Sequence, residues 1–305
     1  MLTIEHLALS YLLPTGKELP ALQDFNLTIN QEQMLGLVGE SGCGKTTLCH
    51  VLTKSLPYHG SITFEGTELK ALTDTKAYYA QVQYIFQDPK STVPPHMNLE
   101  HWALAPLKNL KGMSPRQAKS LIQRLMCEVG LDPELLTRKP SEVSLGQLQR
   151  LSLIKSLALE PKLLLCDEIT SALDPKSSQL CLELLTDYVR RTKLSVLFIT
   201  HDLSTALTWC PQVAVMFKGL LLEQGPAAEL KHPYLQSLKH AAQILAGKQV
   251  PAPQINGAPS ITCPMKQERL CPWLMRCNKA QEQCLTQKPK LRPLSSEHQI
   301  CCHVA

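Results

Sequence analysis

The chain has 305 residues, 44% hydrophobic and 5% aromatic, with a net charge of +5, enough to bury one large domain with subdomains, or two domains. Its longest apolar runs, such as "LLLC" and "VLFI", are strand-sized, far short of the roughly 20 residues that a membrane-spanning helix needs. No basic run with interleaved aromatics is present, which excludes a nucleic-acid stripe.

The opening "MLTIEHLALSYLLPTG" carries Glu5 and His6 among its apolar residues and lacks a basic start, so it does not read as a signal peptide, and a soluble, cytoplasmic chain is expected. Leu7, Leu9 and Tyr11 alternate with small or polar residues, as do Phe25, Leu27 and Ile29, predicting antiparallel, half-exposed strands. "MLGLVG" is a buried strand entering a glycine-rich turn. A helix is predicted next, with Leu48, Val51, Leu52 and Leu56 on one face. A largely helical stretch runs from about Ser114 to Leu159, and "KLLLCDE" and "LSVLFITHD" are continuously apolar runs of the kind buried in parallel sheets. The fold class is α/β with an inserted helical subdomain. After "HPYLQSLKHAAQILAG", the prolines and glycines of "KQVPAPQINGAPSIT" mark a linker.

Chemistry concentrates in "GESGCGKT", where Gly39, Gly44, Lys45 and Thr46 form the phosphate-loop pattern between a strand and a helix. Glycines let backbone N–H groups converge on phosphate oxygens, Lys45 neutralises β and γ charge, and Thr46 offers Mg²⁺ a hydroxyl. Asp167, closing an apolar strand, suits the Mg²⁺ shell, and Glu168 beside it is placed to orient or deprotonate water. His201 ends another strand near the γ-phosphate position. An acidic pair or a histidine at a strand end is by itself commonly structural; the constellation promotes these residues.

These motifs, with "YIFQDP", "SALD" and "VSLGQLQR" in the same order, resemble the ATP-binding cassette ATPases over roughly residues 1–240. The resemblance implies a P-loop NTPase fold: a RecA-like core, an antiparallel β subdomain and a helical subdomain at about 88–159. It implies ATP and Mg²⁺ held by Gly39, Ser41, Gly42, Cys43, Gly44, Lys45, Thr46, Thr47 and Asp167, with Gln87 as the Q-loop residue at the metal and the water. Tyr11 would stack on adenine, Asp174 would form the D-loop, and Ser144, Gly146 and Gln147 would close over a partner cassette's nucleotide. The segment after Gln87, "HPYLQSL" and the tail are similar to importers of peptides, nickel or metal chelates. That implies two membrane permeases, a second cassette and, indirectly, an extracytoplasmic solute-binding protein, at the cytoplasmic face of the membrane. The rival reading is a soluble, non-transport cassette ATPase, for example of iron–sulfur assembly. Two departures stand out: Leu145 replaces the signature's first glycine, and Ile169 follows Glu168 where proline is common. Leu145 forbids positive φ and adds apolar bulk, which predicts a heterodimer with unequal sites; the alternative is that it points away and is silent.

Six of the twelve cysteines, Cys263, Cys271, Cys277, Cys284, Cys301 and Cys302, lie in the last 43 residues, and a reducing cytosol does not sustain disulfides. Seven Lys or Arg against three Asp or Glu also fall there, in residues 263–305. The other six cysteines are expected to be small buried side chains. The resemblance assigns Cys271, Cys277, Cys284 and Cys302 to a 4Fe-4S cluster in the extension 263–305, beyond a linker at 241–262. Their intervals of five, six and seventeen residues exceed those of a zinc knuckle. Zinc is the alternative and a tail without metal a further one, and a metal or redox sensor gating the transporter is a narrower view.

Overall fold

The computed structural model describes residues 1–245 and 270–305. Strands β1 (Leu2–Leu12) and β2 (Glu18–Ile29) pair antiparallel, and their alternation buries Leu7, Leu9, Phe25, Leu27 and Ile29 while leaving Tyr11 exposed. Next come β3 (Met34–Val38), α1 (Lys45–Leu52), β4 (His59–Phe64) and β5 (Thr67–Glu68). One sheet has the order β2-β1-β4-β5. Helix α1 buries Leu48, Val51 and Leu52 but stops at Leu52; Lys54 turns to a φ of 57°, so Leu56 is not on the helix as expected and packs from the following loop.

The chain then forms α2 (Thr75–Gln81), β6 (Val82–Ile85), α3 (Leu99–Lys111), α4 (Pro115–Glu128) and α5 (Leu145–Leu157). Helices α3 to α5 enclose their own core of Trp102, Leu107, Ile122, Met126, Leu135 and Leu148. Ser114 starts α4 by a reciprocal cap with Gln117, which satisfies two otherwise orphaned groups. Cys127 is exposed on α4, a correction to its expected burial: it sits one position beyond Met126, outside the apolar face.

Strands β7 (Leu163–Asp167) and β8 (Ser195–Thr200) flank α6 (Pro175–Arg191), and α7 (Leu203–Trp209), β9 (Gln212–Phe217), β10 (Leu220–Pro226) and α8 (Pro233–Leu245) follow. After the undescribed stretch come α9 (Glu282–Thr286), β11 (Arg292–Pro293) and β12 (Gln299–Ile300). The larger sheet runs β11-β12-β10-β9-β3-β8-β7-β6. It is parallel from β9 to β6. Burial on both faces explains the unbroken apolar runs of β3, β7 and β8.

The cysteine tail continues this sheet, with Glu223 opposite Ile300 and Gln224 opposite Gln299. Trp273 enters the core beside Tyr234 and Phe217, ring centroids 4.8 and 5.3 Å away. Each such aromatic contact adds about 0.5–1.5 kcal/mol beyond area burial. Residues 246–262 of the expected linker, and Cys263, lie outside the described residues, and α8 continues through Leu245. Among the described residues, no helix is long and apolar enough to cross a membrane.

Candidate functional site

The parallel strands β3, β7 and β8 end on one edge of the sheet, where ligands of open α/β folds bind. Between Val38 and Lys45 two glycines are obligatory for different reasons. A Cβ at Gly39 would lie 2.2 Å from the Met216 carbonyl oxygen; Gly44 has a φ of 110° and would place a Cβ 2.4 Å from that of Ala21. Lys45 is buried and donates to the carbonyls of Gly39 at 2.8 Å and Glu40 at 3.0 Å, so its cation rests within its own loop. Burial raises the Cys43 thiol pKa, opposed by that cation. The Tyr11 hydroxyl lies 3.2 Å from the Thr47 hydroxyl. Tyr11, Ser41, Gly42, Lys45, Thr46 and Glu168 line one cleft of about 390 Å³.

Asp167 is buried at the end of β7, where the Tyr84 hydroxyl donates to Oδ2 at 2.9 Å. Burial raises its pKa, and the Thr46 and Tyr84 hydroxyls oppose that rise. Its Oδ1 is buried without a hydrogen-bond partner among the described residues. An unpartnered carboxylate oxygen beside a threonine hydroxyl is a donor set suited to a hard cation such as Mg²⁺.

Glu168 has a φ of 49°, a conformation that costs a non-glycine residue of order 1–3 kcal/mol. Its N–H donates to the Ile199 carbonyl at 2.9 Å, and its carbonyl accepts from the Ser171 N–H at 3.1 Å and hydroxyl at 2.9 Å, which hold the turn. The side chain accepts from Gln87 Nε2 at 2.9 Å and lies 3.2 Å from His201 Nδ1. Gln87, Glu168 and His201, drawn from three separate segments, therefore meet.

Ser144, Gly146, Gln147 and Asp174 lie apart from the residues lining this cleft. Ser144 caps α5: its hydroxyl accepts from the Gln147 N–H at 3.2 Å, and the Gln147 side chain accepts from the Ser144 N–H at 2.9 Å. Asp174 caps α6, accepting from the Ser177 N–H at 3.0 Å. Gly146 is the point where α5 touches α6, since a Cβ there would lie 2.6 Å from Ser177 Oγ and 2.9 Å from its Cβ. Leu145 is the first residue of α5 and has no positive φ, which removes the conformational objection raised from sequence.

Two contacts escaped the sequence reading. Tyr84, which holds Asp167, is signalled only by lying three residues before Gln87 on the strand that pairs with β7. Glu40, inside the phosphate loop, gives its N–H to the Tyr234 hydroxyl at 3.0 Å and faces Arg276 Nη1 at 3.4 Å.

Residues 22–171 match the family model described as ABC transporter. A probable peptide ABC transporter ATP-binding protein of Sinorhizobium fredii is 34% identical, the match covering 93% of this chain and 82% of that one. An oligopeptide transport ATP-binding protein of Haemophilus influenzae is 32% identical over 99% of this chain and 96% of its own. The chain belongs to the ABC transporter ATP-binding family. As an ABC ATPase it uses ATP and Mg²⁺. Its fold matches a dimeric cassette solved in a post-hydrolysis state with ADP and Pi, at a TM-score of 0.68 and 22% identity, over 74% of this chain and 99% of that one.

This cassette carries a second cluster of chemistry in its tail. Cys271, Cys277, Cys284 and Cys302 line one small space of about 10 Å³. Cys301 instead donates to the Pro289 carbonyl at 3.2 Å. Burial pushes the Cys271 thiol up to about 12, with neighbouring thiols adding to the rise. Among the described residues no three Cys, His, Asp or Glu side chains stand at metal-ligating geometry. The four thiols share a space without being clustered as ligands; the donor set suits a thiophilic metal in kind.

Proposed function

We propose that this chain is the ATP-hydrolysing subunit of a peptide importer, acting as a dimer with a second cassette beneath two membrane permeases. The observation that carries the reading is the meeting of Gln87, Glu168 and His201 beside the phosphate loop. The peptide substrate class follows the names of the relatives, which cover nearly the whole chain. No observation favours a soluble, non-transport ATPase. Residues 1–240 form the cassette, with 88–159 as its helical part and 263–305 as an extension. The assembly sits peripherally on the cytoplasmic membrane face, receives solute from an extracytoplasmic binding protein, and involves no nucleic acid.

The chain's own residues account for the steps. Loop N–H groups between Gly39 and Thr47, other than that of Glu40, which the Tyr234 hydroxyl receives, take the β and γ phosphates, and Lys45 leaves its loop carbonyls to pair with them. Tyr11 holds the adenine at the far side of the cleft. Thr46, Gln87 and Asp167 hold Mg²⁺, which supplies charge neutralisation when bound. Glu168, held by Gln87 and His201, orients the water and takes its proton. Ser144 and the start of α5 offer a hydroxyl and N–H groups to the partner's γ-phosphate, with Gln147 fixing the cap and Asp174 the adjoining turn.

Glu168→Gln keeps the shape and removes the base. The assembled transporter should then bind MgATP with unchanged affinity and lose turnover. Undiminished hydrolysis in a complex whose partner site is already inactive would remove Glu168 from the role.

A second reading concerns the tail, and the convergence of four cysteines in one space favours it. Cys271, Cys277, Cys284 and Cys302 hold a metal–thiolate centre, a 4Fe-4S cluster in the reading preferred from sequence and zinc in the alternative. Brown, iron- and sulfide-containing protein after anaerobic preparation indicates the cluster, and colourless protein with one zinc per chain the alternative.

A further inference from the structure

One short segment holds both acids of the nucleotide site. The Tyr84 hydroxyl donates to Asp167 Oδ2 at 2.9 Å, and further along the same segment Gln87 Nε2 donates to Glu168 Oε2 at 2.9 Å. Tyr84 stands on β6 opposite Leu165 of β7, and side chains alternate along a strand, so Tyr84 shares a sheet face with Leu165 and with Asp167 beyond it. The offset from Leu165 to Asp167 is roughly 6–7 Å along β7, a span that a tyrosine covers and a serine or threonine does not. The Tyr84 ring is fixed in turn: it packs on Phe86, ring centroids 4.2 Å apart, and meets His50 of α1 edge-on at 6.2 Å.

The two oxygens of Asp167 are left unequal. Oδ2 has the tyrosine hydroxyl, while Oδ1 is buried with no partner among the described residues. The torsion that turns a carboxylate about its bond to Cβ is soft and roughly twofold, so an unanchored aspartate exchanges its oxygens readily. A hydroxyl donating to a carboxylate makes a charge-assisted bond, about twice as strong as a neutral one, and sets the plane of the group. The open oxygen is costly to bury unless a cation meets it. The backbone does not supply this order by itself, because the chain leaves β7 at Asp167 and turns at Glu168, whose φ is 49°. The bonds from Tyr84 and Gln87 do.

We infer that Tyr84 is a positioning residue of the Mg²⁺ site: its hydroxyl commits Oδ2 to the protein and leaves Oδ1 for the cation, and the segment it shares with Gln87 places the metal-holding and the water-orienting acid together. The inference rests on the reading of Asp167 as a metal ligand. Partners that hydrogen-bond a ligating carboxylate orient it before the metal arrives, and affinity falls when they are removed. The competing account is a hydroxyl that only satisfies a buried carboxylate and stabilises the fold. It would leave metal affinity indifferent to the hydroxyl.

The full chain with ADP bound is titrated with Mn²⁺, which takes the same oxygen-rich octahedral sites as Mg²⁺, and binding is read by electron paramagnetic resonance. Tyr84→Phe keeps the ring against Phe86 and His50 and drops only the donor. Its Mn²⁺ affinity should fall about tenfold, while ADP affinity in excess chelator stays at the wild-type value. Asp167→Asn tests the underlying reading in the same assay and should lose more Mn²⁺ affinity than Tyr84→Phe does. Wild-type Mn²⁺ affinity in Tyr84→Phe beside a loss in Asp167→Asn would overturn the inference and leave Asp167 as a ligand, whatever the melting temperature of Tyr84→Phe. Wild-type affinity in Asp167→Asn would overturn the metal reading of Asp167, and the inference with it. Should Tyr84→Phe fail to fold, Tyr84→Met, whose flexible side chain fills irregular gaps, decides on the same two affinities.

Discussion

Gly146→Ala tests whether the contact between α5 and α6 is as close as the structure places it, because the two available arguments give opposite signs. Alanine is better than glycine inside a helix by about 1 kcal/mol, so propensity alone predicts stabilisation. The added Cβ would lie 2.6 Å from Ser177 Oγ and 2.9 Å from Ser177 Cβ. Rotating the serine relieves the first contact but not the second, so the backbone of α6 has to move. That movement strains the bond from the Ser177 N–H to Asp174, 3.0 Å long, a helix cap worth about 1 kcal/mol. Overpacking of this kind adds about 1–3 kcal/mol. The sum outweighs propensity and leaves a net loss of about 1–3 kcal/mol. Thermal unfolding of the metal-free chain should show a melting temperature lower by several degrees, and Ser177→Gly in the same chain should restore most of it. A melting temperature equal to or above wild type would show that the helices do not meet at this point.

Leu145→Gly should leave turnover of the assembled transporter within about twofold, well below the tenfold that 1.4 kcal/mol of barrier represents. Leu145 already adopts ordinary geometry at the start of α5, and a larger rise would restore the case for unequal sites through side-chain bulk. Asp167→Asn should raise the metal-free melting temperature at pH 7 while abolishing hydrolysis. Burial raises the pKa of this carboxyl, so its contribution to stability is full below the unfolded pKa and is lost as pH rises through the folded one, leaving the charged form a cost at neutral pH; a lowered melting temperature would contradict this. Tyr234→Phe removes the acceptor of the Glu40 N–H, a bond worth about 1 kcal/mol. ATP affinity should weaken about fivefold with kcat preserved, and equal titration curves for variant and wild type would show the phosphate loop to be indifferent to it.

What the sequence displays along a single segment is recovered well. The phosphate loop lies between one buried strand and one helix, and Asp167 closes an apolar run, so spacing and periodicity suffice to name them. Contacts that depend on how strands align are not visible in the same way. Gln87, Glu168 and His201 meet only because β6 pairs with β7 and β7 with β8 in a particular register, Ile85 against Cys166 and Asp167 against Ile199. Tyr84 reaches Asp167 through the same alignment. The tail's thiols were conspicuous as chemistry, but its attachment was not, because β11 and β12 have two residues each and two residues carry no period.

The tail is therefore joined to the nucleotide site by more than sequence proximity. Tyr234 is the shared piece: its ring packs on Trp273, its N–H fixes the proton of His232, and its hydroxyl receives the N–H of Glu40 within the phosphate loop. Arg276, five residues after Cys271, faces the Glu40 carboxylate. That ion pair is largely solvated and contributes at most about 1 kcal/mol, whereas Tyr234 is fully buried and cannot shift without disturbing both neighbours. Closely packed interiors pass displacement from one contact to the next, so the walls of the thiol space and the backbone that receives phosphate are parts of one packed unit.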